Sequence, residues 1–347
     1  MKALRNFALA ALFVAAALGA SVTAQPNVAY QALFVFGDSL ADNGNDFILT
    51  TAAGLDPAIP PSVSPHQTYY QGRFSNGPNQ FEYLWSRIQQ GPQSALTPFL
   101  ATQQLAPAPC PVAPIVTPTQ LPKKGAVNFA FGGSGTGECT LTPGGFPVPG
   151  LLTQVQWFGL TQNAKFASEK TLFAIVSGAN DYLSTPTADP DVIVPLVVEN
   201  ITNALSYLSQ LGARNIMVLN LPDLGTLPIN APLPPEVRAN LTALTTLHNA
   251  LLKQSLGTLA PTLPNGSKVV LVNVHDFVEA LSGNPNLVFA PALPFPTSVC
   301  LFTAPVTCPD VSFAVDPKFV LWDALHPTTN SHYLLSQFLY DSLQESD

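Results

Sequence analysis

Ala32-Leu33-Phe34-Val35-Phe36-Gly37-Asp38-Ser39-Leu40 decides how this chain is read. Its apolar first half, rich in β-formers, makes a short buried strand, and Gly37, Asp38 and Ser39 follow at the carboxyl end. Ligands of open parallel α/β sheets sit in the crevice outside those strand ends, so Ser39 stands where it can react. Similar runs recur at 126–131, 171–176, 214–219 and 268–274. They alternate with helical patterns from Val192 to Leu211 and from Pro235 to Leu256. That rhythm predicts an α/β fold in three layers, a central parallel sheet covered by helices on both faces.

A second stretch, Trp322-Asp323-Ala324-Leu325-His326-Pro327, supplies the groups that a serine needs. Pro327 biases His326 away from the helical region, so Asp323 and His326 belong on a turn. The turn leads into a helix whose apolar face is Leu334, Leu335, Phe338, Leu339 and Leu343, with Thr328, Thr329 and Asn330 as cap candidates. A serine hydroxyl is a weak nucleophile until an imidazole takes its proton, and a carboxylate fixes the imidazole's tautomer. Asp-x-x-His alone is more often a solvated or capping pair. Two further blocks change that balance. Val127 to Phe131 ends in Gly132-Gly133, and Leu172 to Val176 ends in Ser177-Gly178-Ala179-Asn180-Asp181. Glycine N–H groups and an asparagine amide at strand ends are the donors that an oxyanion requires.

On these blocks the chain resembles GDSL-type members of the SGNH hydrolase superfamily, named for Ser, Gly, Asn and His. Gly37-Asp38-Ser39-Leu40 resembles the first block, extended by Asp42-Asn43-Gly44-Asn45 as in the secreted lipase/esterase branch. Asn128 to Gly133 resembles the second, Gly178-Ala179-Asn180-Asp181 the third and Asp323-Ala324-Leu325-His326 the last. Gly72 to Gly77 and Asn220 to Gly225 also look like branch signatures. The resemblance implies a flavodoxin-like fold and an esterase or lipase working through an acyl-enzyme. It makes Ser39 the nucleophile, His326 the base and Asp323 its orienting acid. The oxyanion hole would be the Ser39 and Gly133 N–H groups with the Asn180 amide, Gly133 being preferred to Gly132 by aligning the block on its Asn. Asp38 is read as a turn former. Ala41 stands where a Gly-x-Ser-x-Gly elbow would have its second glycine, which argues against the ordinary α/β-hydrolase fold. Phospholipase, acyltransferase and carbohydrate O-acetyl esterase activities lie within the same family. A secreted binding protein on an inactivated scaffold is the reading from another class, opposed by the complete set of catalytic side chains.

Residues 1–24 carry Lys2, Arg5, the apolar run Phe7 to Leu18 and then Val22-Thr23-Ala24, the layout of a cleavable secretory leader. The expected product is exported, with residues 25–347 as one hydrolase domain and no later uninterrupted apolar stretch that crosses a bilayer. Without the leader, 11 Lys and Arg face 21 Asp and Glu, a net charge of −10. The longest cationic run is Lys123-Lys124, which argues against nucleic-acid partners and anionic membrane surfaces. Cys110, Cys139, Cys300 and Cys308 point to disulfides in an exported chain. Three connectivities are open, and Cys110–Cys139 with Cys300–Cys308 closes the shortest loops. Metal-site spacings are missing and no cofactor is implied, so His66, His248, His275 and His332 are read as structural or surface groups. Proline-rich loops at 57–65, 92–122, 143–149, 222–235 and 291–309 are candidates for the walls of the cleft. Their apolar character favours an acyl or aromatic ester over a highly charged one. Asn200, Asn240 and Asn265 head glycosylation sequons, which matter only where the host attaches glycans.

Overall fold

β1 (Ala32–Gly37) is buried along its whole length, as expected of a strand with neighbours on both sides and helices on both faces. The computed structural model describes residues 30–91, 95–102, 121, 124–142, 145–161 and 168–345. The strands after β1 are β2 (Leu96–Pro98), β3 (Gly125–Asn128), β4 (Cys139–Leu141), β5 (Pro147–Pro149), β6 (Thr171–Val176), β7 (Asn215–Leu219), β8 (Lys268–Val272), β9 (Val288–Pro291) and β10 (Phe319–Leu321). Six of them form a parallel sheet in the order β2-β3-β1-β6-β7-β8. Setting aside the edge strand β2, the remaining order is the flavodoxin-like 2-1-3-4-5. β1 meets β6 from Ala32↔Thr171 to Gly37↔Val176, and β3 from Ala32↔Gly125 to Val35↔Asn128. The chain leaves β1 for β3 on one side and then crosses to β6 on the other, which puts a topological switch point beside Ser39.

Alternation along the strands divides the core in two. Phe34, Phe36, Phe173, Ile175, Ile216 and Val218 pack on one face against the helices Leu151–Thr161, Pro190–Gln210 and Pro235–Leu259. Leu33, Val35, Leu172, Ala174, Met217 and Leu219 pack on the other against the helices Gln80–Ile88, Val274–Ser282 and Thr329–Glu345. This is the three-layer α/β fold that the sequence implies. Asn79 begins the helix Gln80–Ile88 with a capping box, its side chain accepting from Phe81 and Glu82 N–H while Glu82 accepts the Asn79 N–H. Thr328 does the corresponding service for the C-terminal helix by accepting from the Ser331 N–H at 3.3 Å.

Some expectations change. The run at 126–131 is a strand only to Asn128, because its later residues turn into the glycine block. β2, three residues long, lies within a proline-rich stretch and carries no readable pattern. Pro190–Gln210 is, by length and composition, long and apolar enough to span a bilayer, but Val194, Val197, Val198, Ile201, Ala204, Leu205 and Leu208 are buried in the core. Cys300 and Cys308 are disulfide-bonded as expected. The Cys110–Cys139 pairing involves a cysteine outside the described residues, and the leader-like residues 1–24 lie outside them too.

Candidate active site

Gly37 ends β1 with φ +150°, and a Cβ there would collide with the carbonyl oxygen of Val176 on the adjacent strand. Glycine is therefore required where the chain turns out of the sheet. Buried Gln154 grips this residue from both sides: its Oε1 accepts the Gly37 N–H at 2.8 Å and its Nε2 donates to the Gly37 carbonyl at 2.9 Å. Asp38 forms the expected turn, its carboxylate accepting the Leu40 N–H at 3.0 Å. Burial pushes its carboxyl up to about 7, against the opposing pull of that N–H and of nearby His326. Ser39 follows, and no acceptor for its N–H exists among the described residues.

The asparagines of the first two blocks lock this loop to β3. Asn128 donates to the Ala41 carbonyl at 2.6 Å and to Asn43 Oδ1 at 2.9 Å. Asn45 donates to the carbonyls of Asn128 and Ala130. Asn79 also donates to Ala41, at 2.6 Å. Asp42 accepts the N–H groups of Gly44, Asn45, Asp46 and Gly132. The Gly132 N–H is thus occupied, whereas that of Gly133, at φ +74°, meets no acceptor among the described residues. Asn180 lies in a five-residue helix, Ala179–Leu183, at the end of β6. Its Nδ2 donates one hydrogen to the Ser134 carbonyl at 2.9 Å, which fixes the amide and leaves its second hydrogen for another acceptor. Asp181 beside it accepts from the N–H and hydroxyl of Thr136.

His326 arrives from the opposite end of the chain. His326 Nε2 lies 2.9 Å from Ser39 Oγ, and its Nδ1 lies 2.8 Å from Asp323 Oδ2. Asp323 is fully buried. Its Oδ1 accepts the N–H groups of Leu325 and His326, and its Oδ2 also accepts the Tyr69 hydroxyl at 2.6 Å. Burial and the charge of Asp323 raise the Tyr69 phenol well above its ordinary pKa, so it remains a donor to the carboxylate. The Phe74 and Phe302 rings pack on the imidazole, with centroids at 5.2 and 5.9 Å. Phe302 sits in the short helix Cys300–Thr303, which the Cys300–Cys308 disulfide closes. The Gly72 to Gly77 stretch braces the turn from below. Ser75 donates to the Pro327 carbonyl at 2.8 Å, and Asn76 accepts the Thr329 N–H at 2.8 Å.

The structure therefore brings Ser39, His326 and Asp323 together and puts Gly133 in the loop after β3 and Asn180 in the short helix after β6, β3 and β6 being the two strands that flank β1. Tyr69, Gln154 and the asparagine network were not foreseen, because each acts on a residue far away in sequence. Of the remaining histidines, His248 and His332 are buried, and burial lowers both to about 3, the neighbouring His326 adding to the shift of His332. His66 Nδ1 is 2.8 Å from the Cys308 carbonyl. His275, with Asp276 and Glu279, forms one loose group of possible ligand atoms within 4.8 Å of one another, Asp276 and Glu279 being exposed. The Asn200 and Asn240 amides are engaged internally, with Thr136 and with the Pro186 and Ala188 carbonyls, while Asn265 is exposed.

The profile of the GDSL-like Lipase/Acylhydrolase family matches residues 33–338. The chain belongs to that family. By that membership this GDSL hydrolase acts on carboxylic esters. It is similar to the GDSL esterase/lipase At2g23540 of Arabidopsis thaliana, 26% identical over 90% of this chain and 84% of that protein. The GDSL esterase/lipase EXL3 of the same plant is 24% identical over 95% of this chain and 92% of its own length. Among solved structures, a GDSL-like lipase from Parabacteroides merdae aligns with a TM-score of 0.46 at 11% identity, covering 91% of this chain and 98% of that one.

Proposed function

We propose that this GDSL hydrolase is an exported serine esterase that cleaves carboxylic esters through an acyl-enzyme on Ser39. The observation that carries the reading is the continuous run of hydrogen bonds from Tyr69 through Asp323 and His326 to the Ser39 hydroxyl. As Ser39 Oγ attacks the ester carbonyl carbon, His326 Nε2 accepts its proton and Asp323 stabilises the imidazolium. The carbonyl oxygen, now negative, takes hydrogen bonds from the Ser39 and Gly133 N–H groups and from the second hydrogen of the Asn180 amide. Collapse breaks the bond to the alcohol oxygen, which leaves with the proton from His326. Water then gives a proton to His326, attacks the acyl-serine and releases the acid as Ser39 regains its proton. Asp38 has no part in these steps beyond shaping the turn. Export is supported by the leader-like residues 1–24 and by the Cys300–Cys308 disulfide, and on this reading residues 25–347 are one hydrolase domain behind the leader.

Labelling with a fluorophosphonate, read by intact mass, tests the proposal. The mature chain is expected to gain one adduct, at Ser39, and Ser39→Ala none. A chain that stays unlabelled and turns over no ester is a binding module on a hydrolase scaffold.

A further inference from the structure

The three donors proposed for the oxyanion are not held by one frame. Ser39 and Gly133 are. Gln154 grips the Gly37 peptide and also donates to the Ser134 hydroxyl at 3.1 Å, while Asp42 accepts the N–H groups of both Gly44 and Gly132. Asn180 stands apart, in the five-residue helix Ala179–Leu183, which leaves β6 through Gly178 at φ +120°. A helix of that length does not hold its own direction.

Two ties fasten this helix to the glycine block. One is the Asn180 amide, which donates to the Ser134 carbonyl at 2.9 Å. The other is Asp181, whose Oδ2 accepts the Thr136 N–H at 2.9 Å and whose Oδ1 accepts the Thr136 hydroxyl at 2.9 Å. Thr136 is fully buried, and its hydroxyl oxygen takes a further hydrogen from Asn200 at 3.1 Å, so the anchor is itself moored to the long helix Pro190–Gln210. Gly135 lies between the two ties, and a Cβ there would come 3.1 and 3.2 Å from the Asp181 carboxylate oxygens. Glycine thus lets the block approach the carboxylate closely. The proposed mechanism leaves Asp181 without a task, since its carboxylate has no hydrogen bond to Ser39 or His326 among the described residues.

A single hydrogen bond would leave the Asn180 amide free to swing about the Ser134 carbonyl. A second bond, from the next residue to Thr136, removes that freedom. The difference matters because an oxyanion donor acts only where it is already aimed, and a displacement of about 1 Å costs on the order of 10²-fold in rate. We infer that Asp181 is a positioning residue of the oxyanion hole. By holding Thr136 it fixes the helix that carries Asn180, so that the free amide hydrogen of Asn180 points with the Ser39 and Gly133 N–H groups at one oxygen. The inference rests on the Ser39 chemistry proposed above. Asp181 has two other conceivable roles, both through its charge. It is an acid in the first turn of its helix, and burial raises the Asp38 carboxyl with the charge of Asp181 adding to that rise.

Hydrolysis of a p-nitrophenyl ester by the mature chain, in a cycle of Asp181→Ala and Asn180→Ala, tests the inference. Asp181→Ala is expected to lower kcat about thirtyfold with KM within about twofold of wild type. In the Asn180→Ala background the same substitution should cost less than about threefold more, because the amide that it aimed is gone. Asp181→Asn keeps an acceptor for Thr136 without the charge and should recover most of the loss. Thr136→Val keeps the charge, removes the hydroxyl and should lower kcat about threefold or more. It replaces Asp181→Ala in the cycle should that variant fail to fold. Losses that multiply in the double variant overturn the inference, as does an Asp181→Asn variant no better than Asp181→Ala or an effect confined to KM. Fluorophosphonate labelling of the wild type separates the two failures. A labelled, active wild type whose Asp181→Ala variant keeps full kcat refutes the role of Asp181 alone, whereas an unlabelled, inactive wild type refutes the Ser39 chemistry and the inference with it.

Discussion

Ser39 and His326 meet at 2.9 Å, yet the chain holds them by different means. The serine end is part of the sheet. Gly37 is pressed against Val176, Gln154 clamps its peptide, and Asn43, Asn45, Asn128 and Asp42 tie the following loop to β3. The histidine end is part of no large sheet. Among the described residues the one strand that pairs with β10 is β9, and the turn after it depends on side chains from distant segments: Tyr69 on Asp323, Ser75 on Pro327, Asn76 on Thr329 and the Phe302 ring on the imidazole. Trp322 joins them, donating from its indole to the Thr68 carbonyl. The difference teaches that damage at the serine end should spread to the whole fold, while damage at the histidine end should stay local and appear first in turnover.

Gly37→Ala should have the largest effect. The new methyl has no room against the β6 backbone, so we expect a loss of about 4 kcal/mol or more and little soluble protein, read by expression and denaturant unfolding. A stable Gly37→Ala variant would break the contrast. Asn180→Ala comes next, with kcat expected to fall roughly 10²–10³-fold at a KM that changes little if the amide, as proposed, meets charge that exists only in the transition state. A change confined to KM would assign Asn180 to ground-state binding.

Tyr69→Phe tests the histidine end. It removes one donor from the Asp323 carboxylate and leaves the ring in place. The expected result is a fall of about tenfold in kcat with a denaturation midpoint much nearer to wild type than that of Gly37→Ala. If stability falls as far as activity, the histidine end is as bound to the core as the serine end.

These two ends were also unequally legible. Five of the six strands in the large sheet read directly as apolar runs, since strands buried on both faces need no alternation. β2 did not, because three residues among prolines carry no periodicity. Ser39, Asp323 and His326 could be found from residue type and local order, and Gly133 and Asn180 from their places after strands. Tyr69 could not. Its partner is 254 positions away, and nothing local to either residue announces the pair. Gln154, acting on Gly37 across 117 positions, was hidden for the same reason.

The last expected effect, small near pH 4 and growing with pH, concerns the buried carboxylates beneath the serine end. Burial, and then the charge of Asp42, raises the Asp46 carboxyl well above its usual range, and Asp46 Oδ1 has no hydrogen-bond partner among the described residues. The folded state thus keeps a proton that the unfolded state has lost, and stability falls as pH rises from about 4 towards the raised pKa. Asp46→Asn removes that proton equilibrium. Its stability relative to wild type should improve as pH rises over this range, by at most about 1.4 kcal/mol per pH unit, measured by denaturant unfolding at pH 4.5, 6 and 7.5. A difference that does not change with pH would show that Asp46 is not held as the neutral acid.

The central claim is that two separately held ends of the chain converge on one catalytic unit. Ester hydrolysis by Ser39→Ala, His326→Ala and the double variant, at matched stability, tests it most directly. If Ser39 and His326 act as one device, each single variant loses most of the activity and the double variant is little worse than either. Losses that multiply in the double variant would mean that the two residues contribute independently, and the unit would not exist.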